Sequence, residues 1–414
     1  MELQMEEAWI IDACRAPRGI GKSDRGALAD IHPQRLGGAV LRALAERTGV
    51  KTSDIDDVVW GTSGQRDAQG EDLARMSLLD AEYDVRASGV TIDRFCGSGA
   101  SAVIMAASSI MAGMEDLVVA GGTELMSMPG RRGNGGLWDH GNLHLRSVHP
   151  QAAQGVCADA LATMEKISRE DCDDFAFMSH QRTGRAISDG HSAKSLVPIF
   201  HDDGRLALDQ EQYPRPQTTR EGLAALRPSF EAMADTPLDE AGTTHRSLFL
   251  KKYPGVDIDF VHHAGNSSGV ADGSAAILLA SSTYAKANGL KPRARVVATA
   301  NMGACPTLMF NAVAPSTQKV LAKAGLALSD IDLFEVNEAF AVVPIKFMRD
   351  LGVDHDRLNV NGGAIGLGHP IGATGAILIG TLLDELERRN ARRGLVVICA
   401  GGGMAPSIII ERMD

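Results

Sequence analysis

Apolar and polar positions follow two periods along the chain, one typical of helices and one typical of buried strands. HPQRLGGAVLRALAERTG (32–49) has apolar residues at helical spacing and predicts an amphipathic helix. IDDVVWG (55–61) and DLVVAGG (116–122) are short apolar runs that predict strands. Between them, TIDRFCGSGASAVIMAASSIMAG (91–113) predicts an extended run followed by a helix of small residues. Alternating strands and helices predict an α/β fold with a mainly parallel sheet covered by helices on both faces.

Two distant segments resemble each other and indicate an internal duplication. ERTGVKTSDIDDVVWGTSG (46–64) matches AKAGLALSDIDLFEVNEAF (322–340) at an offset of 276 residues. With two residues of slip, LVV at 117–119 falls on LVV at 395–397. Matches in one order at nearly one offset predict two homologous halves. We expect two mixed, mostly parallel sheets in a five-layered α-β-α-β-α arrangement.

A segment of a different kind, 125–260, separates the halves. It begins with MSMPGRRGNGGLWDHGNLHLRSVHP, which is rich in Gly, Pro and Arg. Loop-rich segments of this kind often carry substrate-binding residues on a rigid scaffold. We therefore predict an N-terminal half formed by 1–124 and 261–285, an inserted loop domain at 125–260, and a C-terminal half at 286–414.

The composition argues against several classes of partner. The net charge is −11 and there is no basic run, so we expect no nucleic-acid partner. No apolar run reaches the roughly 18 residues that a membrane span needs, and the acidic start MELQMEE does not resemble a secretory signal. The six cysteines lack a CxxC pair or zinc-ligand spacing. Scattered thiols predict a reducing compartment, so we expect a cytoplasmic enzyme without a membrane partner.

Cys96 is the first candidate for chemistry. It stands directly before the predicted helix, where backbone N–H groups and the helix dipole favour a thiolate over a thiol. Gly97 and Gly99 leave room for a substrate to approach. Most lone cysteines are small buried apolar residues, but this position favours a nucleophile.

Three further residues lie at the ends of predicted elements. His369 follows a glycine-rich run, and by the duplication its turn corresponds to the turn of Cys96, so we expect the imidazole to act as base to the thiol. Cys399 ends a buried strand before three glycines whose N–H groups can hold an oxyanion. Asn337 also ends a strand, where an amide can orient a side chain or a water. The glycine spacing around His369 fits neither a P-loop nor GxGxxG.

The chain resembles the thiolase family over nearly its whole length. The motifs that carry the resemblance occur in the family's order: CGSG (96–99), HHAGNSSGVADGSAA (262–276), NEAFA (337–341), NGGAIGLGHPIGATGA (361–376) and CAGGGMAPSIIIE (399–411). The resemblance implies the duplicated thiolase fold. It also implies an acyltransferase that cleaves 3-oxoacyl-CoA with CoA, or that runs the reverse condensation, by a ping-pong mechanism.

The resemblance further implies a role for each candidate residue. Cys96 would be the acylated nucleophile, His369 its activator, and Cys399 the acid/base at the acetyl α-carbon. Asn337 would position a water that forms one oxyanion hole with His369. The N–H groups of Cys96 and Gly401 would form the other hole.

The resemblance implies acyl-CoA and CoA as small-molecule substrates, with no permanently bound cofactor. Ser268 matches the serine that contacts the pantetheine arm. Arginines such as Arg215, Arg220 or Arg227 would hold the CoA phosphates, and the sequence does not choose among them. Members of the family assemble as homodimers or homotetramers.

Two departures from the family pattern bear on the substrate. The segment that lines the acyl pocket in many thiolases reads QGVCADA here, with Gln154 and Cys157 at the altered positions. The stretch between Phe230 and the HHAGNSSG motif is longer than in short-chain thiolases. We therefore predict degradation of a long or bulky acyl chain, with β-oxidation as the setting. The alternative is an acetyl-CoA acetyltransferase that forms acetoacetyl-CoA.

Other classes of protein fit the sequence less well. GNSSG (265–269) matches a serine-hydrolase pattern but lacks the strand–elbow–helix context, and a β-ketoacyl synthase would carry His where Cys399 stands. A dehydrogenase is disfavoured because GxGxxG is missing after the first strand. A catalytically silent thiolase-like binding protein is the non-enzyme alternative. We expect no metal site, although the insertion contains His140, His144 and His149.

Overall fold

The computed structural model describes residues 6–128 and 137–413. Its strands are β1 (Ala8–Arg15), β2 (Gly19–Ile20), β3 (Asp57–Gly61), β4 (Val90–Ile92), β5 (Leu117–Leu125), β6 (Ile199–Phe200), β7 (Leu206–Leu208), β8 (Ala271–Ser281), β9 (Ala294–Gly303), β10 (Leu333–Val336), β11 (Arg393–Val397) and β12 (Met404–Arg412). Its α-helices are α1 (Pro33–Thr48), α2 (Leu73–Asp80), α3 (Ser98–Met111), α4 (Leu143–Val148), α5 (Gln154–Glu165), α6 (Arg169–Ser188), α7 (Arg220–Ala224), α8 (Glu231–Asp235), α9 (His245–Lys252), α10 (Ser282–Ala287), α11 (Val313–Ala324), α12 (Val342–Leu351), α13 (Ala364–Leu367) and α14 (Thr374–Arg389).

The two halves of the chain repeat one strand order. Strands β3, β5, β8 and β1 lie side by side in the first half, and β10, β11, β12 and β9 lie in the corresponding order in the second. In both halves the first pair is parallel and the next two pairs are antiparallel. The α/β class and the duplication are therefore confirmed.

The strand directions differ in detail from the sequence prediction. Parallel pairing is found for β3 with β4, β3 with β5 and β10 with β11, whereas the remaining named pairs of the large sheet are antiparallel. The strands also form one hydrogen-bonded sheet rather than two, because β1 pairs with β9 through Trp9–Arg295 and Ile10–Ala294. A buried apolar run carries no signal for its direction or its edge partner, so the pattern alone could not supply either.

Equivalent aspartates show how closely the halves correspond. The Asp56 carboxylate accepts a hydrogen bond from the main-chain N–H of Asp116 at 2.8 Å, and Asp332 accepts one from Arg392 at 2.8 Å. The acceptor in the second half, Asp332, lies 276 residues after Asp56, and the donor, Arg392, lies 276 residues after Asp116. The two-residue slip that the LVV match suggested is therefore absent from the register of these strands.

Helices α3 and α14 pack against each other between the two halves. Their contact is close enough that a Cβ at Gly375 would lie 2.1 Å from the main-chain nitrogen of Ala100. Helices α1 and α2 pack on the strands of the first half, and α11 packs on those of the second and also contacts α12. This is the predicted five-layered order, and it brings the N-terminal ends of α3 and α14 together.

The segment between β5 and β8 combines helices with long irregular stretches in its described part. It contains α4 to α9 and the short β6–β7 hairpin. Helices α5 and α6 pack on α12, and α6 also packs on α13. The chain then returns to the first half through β8, which pairs with both β1 and β5. Among the described residues, no helix is both long and apolar enough to cross a membrane.

Candidate active site

Cys96 lies in a tight turn between β4 and α3. The N–H of Gly97 donates to the Arg94 carbonyl at 3.0 Å. The Ser98 hydroxyl accepts from the Arg94 N–H at 2.8 Å and donates to the Phe95 carbonyl at 2.7 Å. Phe95 has a φ of +50°, in the left-handed region that non-glycine residues rarely occupy. These bonds fix Cys96 at the start of the helix, with 5% of its surface exposed.

One cavity collects most of the candidate residues. Cys96 comes from the first half, and His369, Cys399 and Gly401 come from the second. Ser268, from the loop before β8, lines the same cavity. Cys96 lies before α3 and His369 shortly before α14, so the packing of these two helices brings the two turns together. The meeting of these turns, predicted from the duplication, is what the structure shows.

A hydrogen-bond chain orients the imidazole of His369. Its Nδ1 lies 2.7 Å from the hydroxyl of Thr374, and that hydroxyl donates to the Pro370 carbonyl at 2.8 Å. Because a hydroxyl has a single hydrogen, Thr374 must accept from His369, so Nδ1 carries the proton. Nε2 is then the basic nitrogen, and it lies 3.5 Å from the side-chain nitrogen of Asn337. The sequence interpretation did not identify Thr374, although it stands in the quoted glycine-rich motif.

Asn337 is not among the residues that line this cavity. Its main-chain N–H donates to the Val397 carbonyl at 3.2 Å, which fixes it beside the strand that leads to Cys399. Its amide contacts both His369 and the Cys399 thiol. Oδ1 has no protein hydrogen-bond partner among the described residues.

Cys399 is held as a neutral thiol. Burial raises its pKa well above the usual range, and the nearby Cys96 raises it further, while the hydrogen bond with Asn337 acts in the opposite direction. Only 2% of its surface is exposed. A thiol that keeps its proton at neutral pH can donate that proton to a carbanion formed beside it.

The insertion covers the glycine loop that follows Cys399. A Cβ at Gly401 would lie 2.9 Å from the Trp138 ring, so only glycine fits beneath this indole without a shift. Trp138 also packs edge-on against Phe95 at 5.3 Å, and its Nε1 donates to the Ala152 carbonyl at 2.9 Å. Trp138 therefore contacts both the residue before Cys96 and the loop of Gly401. No sequence signal pointed to this contact, because it joins segments that are far apart in the chain.

The remaining wall of the cavity is largely apolar. Ser267 lines it beside Ser268, and the Ser267 hydroxyl has no hydrogen-bond partner among the described residues. Gln154, at the first position of α5, also reaches the cavity, whereas Cys157 is buried one turn further on. The apolar members of the wall are Met126, Phe230, Val270, Phe310, Ala339, Phe340, Ile371 and Ala400.

The three candidate arginines for the CoA phosphates differ in their surroundings. Arg220 forms an ion pair with Asp174 at 2.5 Å and lies over the ring of Phe177. Arg215 lies over the Tyr213 ring at 5.5 Å. Arg227 is exposed and forms no ion pair within the described ranges. Of the three guanidinium groups, that of Arg227 therefore has the fewest interactions within the described ranges.

A second cysteine–histidine–aspartate arrangement lies away from the cavity. His262 Nδ1 is 2.7 Å from Asp159, and its Nε2 is 3.8 Å from the thiol of Cys172. All three side chains are buried, so no substrate reaches them. His140, His144 and His149 do not form part of any cluster of three or more metal-ligating side chains among the residues described.

Comparison with known proteins identifies the family. The family model "Thiolase, N-terminal domain" matches residues 8–237, and "Thiolase, C-terminal domain" matches 290–412. A 3-ketoacyl-CoA thiolase of Yersinia pestis is 36% identical over 99% of this chain and 100% of its own length. An acetyl-CoA acetyltransferase of Chromobacterium violaceum is 38% identical over 98% of this chain and 100% of its own length.

Solved structures agree with this assignment. The Bacillus anthracis acetyl-CoA acetyltransferase has a TM-score of 0.84 and 33% identity, with 99% of both chains covered. Human mitochondrial 3-ketoacyl-CoA thiolase in complex with CoA also has a TM-score of 0.84, with 32% identity over 99% of this chain and 98% of that one. The chain belongs to the thiolase family and is an acyltransferase.

Proposed function

We propose that this member of the thiolase family works through an acyl-enzyme on Cys96, with His369 as activator and Cys399 as acid/base. The observation that carries the proposal is the single cavity in which the three side chains meet. The protonation states fit these roles: His369 presents an unprotonated Nε2, and Cys399 is a neutral thiol. A base beside one thiol and a proton donor on the other are the groups that a thiolysis needs.

The proposed reaction has two halves. In the first, the Cys96 thiol gives its proton to Nε2 of His369, and the sulfur attacks the 3-keto carbon of the 3-oxoacyl-CoA. The bond between C2 and C3 breaks, its electron pair stays on the acetyl-CoA carbon, and Cys399 protonates that carbon. In the second half, the thiol of CoA gives its proton to the Cys399 thiolate, and its sulfur attacks the acyl-Cys96 thioester. The bond between the acyl carbon and Cys96 breaks, and the Cys96 thiolate takes its proton back from Nε2 of His369.

Two sets of donors stabilise the developing oxyanions in this account. Asn337 lies against His369 and can bind a water through Oδ1. This water and His369 would donate hydrogen bonds to one oxyanion. The N–H groups of Cys96 and Gly401 would serve the other, because both residues line the cavity. Removing one oxyanion-hole donor typically costs a factor on the order of 100 in rate or more.

The pocket wall supports degradation of a long or bulky acyl chain. Its aromatic side chains come from three different segments, and Phe230 packs edge-on against Phe340 at 5.8 Å. The test is kcat/KM for CoA-dependent cleavage of acetoacetyl-CoA and of medium-chain, long-chain and ring-bearing 3-oxoacyl-CoA, with Cys96→Ala as the blank. The proposal predicts larger values for the larger substrates. A clear preference for acetoacetyl-CoA would make the acetyl-CoA acetyltransferase alternative the correct one.

CoA is proposed to enter past Ser268 and Ser267, with Arg227 at its phosphates. Ser268 lines the cavity, and Leu223 and Leu226 of the segment that carries Arg227 approach Gly265 near the same loop. Arg227→Ala should raise KM for CoA and leave kcat unchanged, whereas the matched change Arg220→Ala should alter KM less. Equal effects of the two variants would remove Arg227 from this role.

The proposed location is the cytoplasm, which the six free cysteines favour.

The proposed assembly is a homo-oligomer that contains a pair of chains related through β4. This strand stands at the end of the sheet order and pairs only with β3 among the described strands. Val90 on β4 is 39% exposed, Val85 before it 72%, and Met105 on α3 45%. An uncovered strand edge beside apolar side chains is a surface that partner chains commonly cover.

Light scattering coupled to gel filtration tests this surface. Met105→Glu should shift the protein toward the mass of one chain. Met114→Glu is the matched control, because Met114 is 79% exposed on the turn after α3. A mass unchanged by Met105→Glu would contradict the proposed surface.

A further inference from the structure

A second cavity lies between β1, α6 and α14, and it shares no lining residue with the catalytic cavity. The space between these elements is about 580 Å³, a volume that includes the opening to solvent. All three parts of the chain contribute to its wall. The wall includes Ala13, Arg15 and Arg18 from the first half, Thr183 and Ala186 from the insertion, and Ile377 from the second half.

Arg18 is buried in this wall without a carboxylate partner. It is 4% exposed, its Nε has no hydrogen-bond partner, and it forms no ion pair within the described ranges. The nearby carboxylate of Glu211 is already engaged, since one oxygen lies 2.7 Å from Arg15 Nη1 and the other accepts from the Arg18 main-chain N–H at 2.6 Å. Burial lowers the pKa of Arg18 to about 10, so the guanidinium still carries its charge at neutral pH. A buried cation with unused donors is costly unless an acceptor binds it.

The buried carboxyl groups of the second half do not supply that acceptor. Glu335 and Glu338 lie close enough to affect Arg18 electrostatically, but neither lies within ion-pair distance. Burial raises the pKa of Glu335 well above its usual range, which favours the neutral acid. Glu338 already accepts from Ser179 and Asn359.

The other side chains that line this cavity indicate which class of ligand it could bind. Thr183 is 1% exposed, and its hydroxyl has no hydrogen-bond partner among the described residues. Several other polar side chains of the wall are already paired, as His191 is with Asn361 at 2.9 Å and Asp384 is with Arg293 at 2.6 Å. The apolar part of the wall contains Ala13, Ala186, Ala275, Ala376 and Ile377. A charged donor, a buried hydroxyl and an apolar part of the wall suit a small carboxylate with a short hydrocarbon tail.

We propose that this cavity is a second binding site, which takes a small monocarboxylate with its charged group on Arg18. The Thr183 hydroxyl donates to the second oxygen, and the tail lies against the alanines and Ile377. The site is separate from the acyl-CoA cavity, so the carboxylate does not compete with CoA. It adjoins α14, the helix whose first residue, Thr374, bonds the imidazole of His369.

The experiment is a thermal shift and calorimetric titration of the full-length protein with acetate, butyrate, chloride and phosphate at one ionic strength. Butyrate should bind and raise Tm, also with CoA saturating, and chloride and phosphate should not. Arg18→Met should abolish butyrate binding, and Thr183→Val should weaken it by about 5- to 10-fold. Arg25→Met, an exposed arginine on the following loop, should bind like the unaltered chain.

Each contrary result overturns the proposal. Stabilisation by chloride or phosphate equal to that by butyrate would show a site for any anion. Butyrate binding that CoA displaces would place it in the catalytic cavity, and absence of binding would leave Arg18 as a structural residue. Far-ultraviolet circular dichroism without ligand establishes that Arg18→Met is folded. If that variant does not fold, Thr183→Val alone decides, and unchanged butyrate affinity in it contradicts the proposal.

Discussion

The hydroxyl of Thr374 lies 2.7 Å from Nδ1 of His369 and donates its own hydrogen to the Pro370 carbonyl. This relationship sets which imidazole nitrogen carries the proton, and Nε2 is then the nitrogen that accepts the Cys96 thiol proton in the proposed reaction. Thr374 does not line the catalytic cavity. It is therefore a positioning residue that acts through the histidine.

Thr374→Val removes the acceptor for Nδ1 and should lower kcat about 10-fold, the value of one hydrogen bond of about 1.4 kcal/mol. Thr374→Ser keeps the hydroxyl and should retain most of the activity. The rate at which iodoacetamide alkylates Cys96 gives a second readout, and it should fall in the valine variant and recover in the serine variant. Equal activity of the two variants would show that the hydroxyl has no such role.

Cys399→Ala should separate the two halves of the reaction. Without a proton donor for the acetyl carbanion, cleavage of the carbon–carbon bond should fall by about 100-fold or more. Acyl transfer from a simple acyl-CoA to Cys96 needs no carbanion and should continue. Single-turnover measurements of both steps check this, and a parallel loss of both would contradict the role assigned to Cys399.

Phe230→Ala should shift the chain-length preference. Phe230 lines the cavity, and a Cβ at Gly155 would lie 2.2 Å from its ring, so the ring fills the space beside α5. Its removal should raise kcat/KM for long-chain substrates relative to acetoacetyl-CoA. Leu226→Ala is a matched control outside the lining residues and should leave this ratio unchanged. If the ratio does not change in Phe230→Ala either, the acyl chain does not reach this ring.

Stability should fall as the pH drops below 6.5, partly because of His180. Burial lowers the pKa of His180 from 6.5 to about 4, so the unfolded chain binds a proton that the folded chain resists. This stabilisation is fully present above pH 6.5 and is lost progressively down to pH 4, by up to roughly 3 kcal/mol. In His180→Gln, urea unfolding should show a smaller loss between pH 7 and pH 5 than in the unaltered chain. An equal loss in both would show that His180 does not contribute.

The sequence predicted the turns that carry the proposed catalytic groups, but it did not predict the strand directions and pairing of the sheet. The repeated Ser-Asp-Ile-Asp motif appears in the structure as two short 3-10 helices, Thr52–Asp54 and Leu328–Asp330, each leading into an equivalent strand. The duplication therefore located the turns of Cys96 and His369 relative to each other. Strand direction and the pairing of β1 with β9 were not predictable, because apolar patterns record burial and not neighbours.

The contacts that the sequence did not reveal all join distant segments. Trp138 reaches Gly401 across the fold, and Arg18 lies in a cavity that three parts of the chain form together. The charge or ring of such a residue is visible in the sequence, but its neighbours depend on tertiary packing. Thr374 is different, since it stands five residues after His369 and a local reading of the turn could have found it.

The central claim is that Cys96 becomes acylated, and intact-protein mass spectrometry tests it directly. The protein is mixed with a 3-oxoacyl-CoA in the absence of free CoA and quenched in acid, and the modified peptide is then sequenced. The account predicts one shortened acyl group on Cys96, its removal when CoA is added, and no acylation in Cys96→Ser. Acylation at another residue, or turnover without a covalent intermediate, would contradict it.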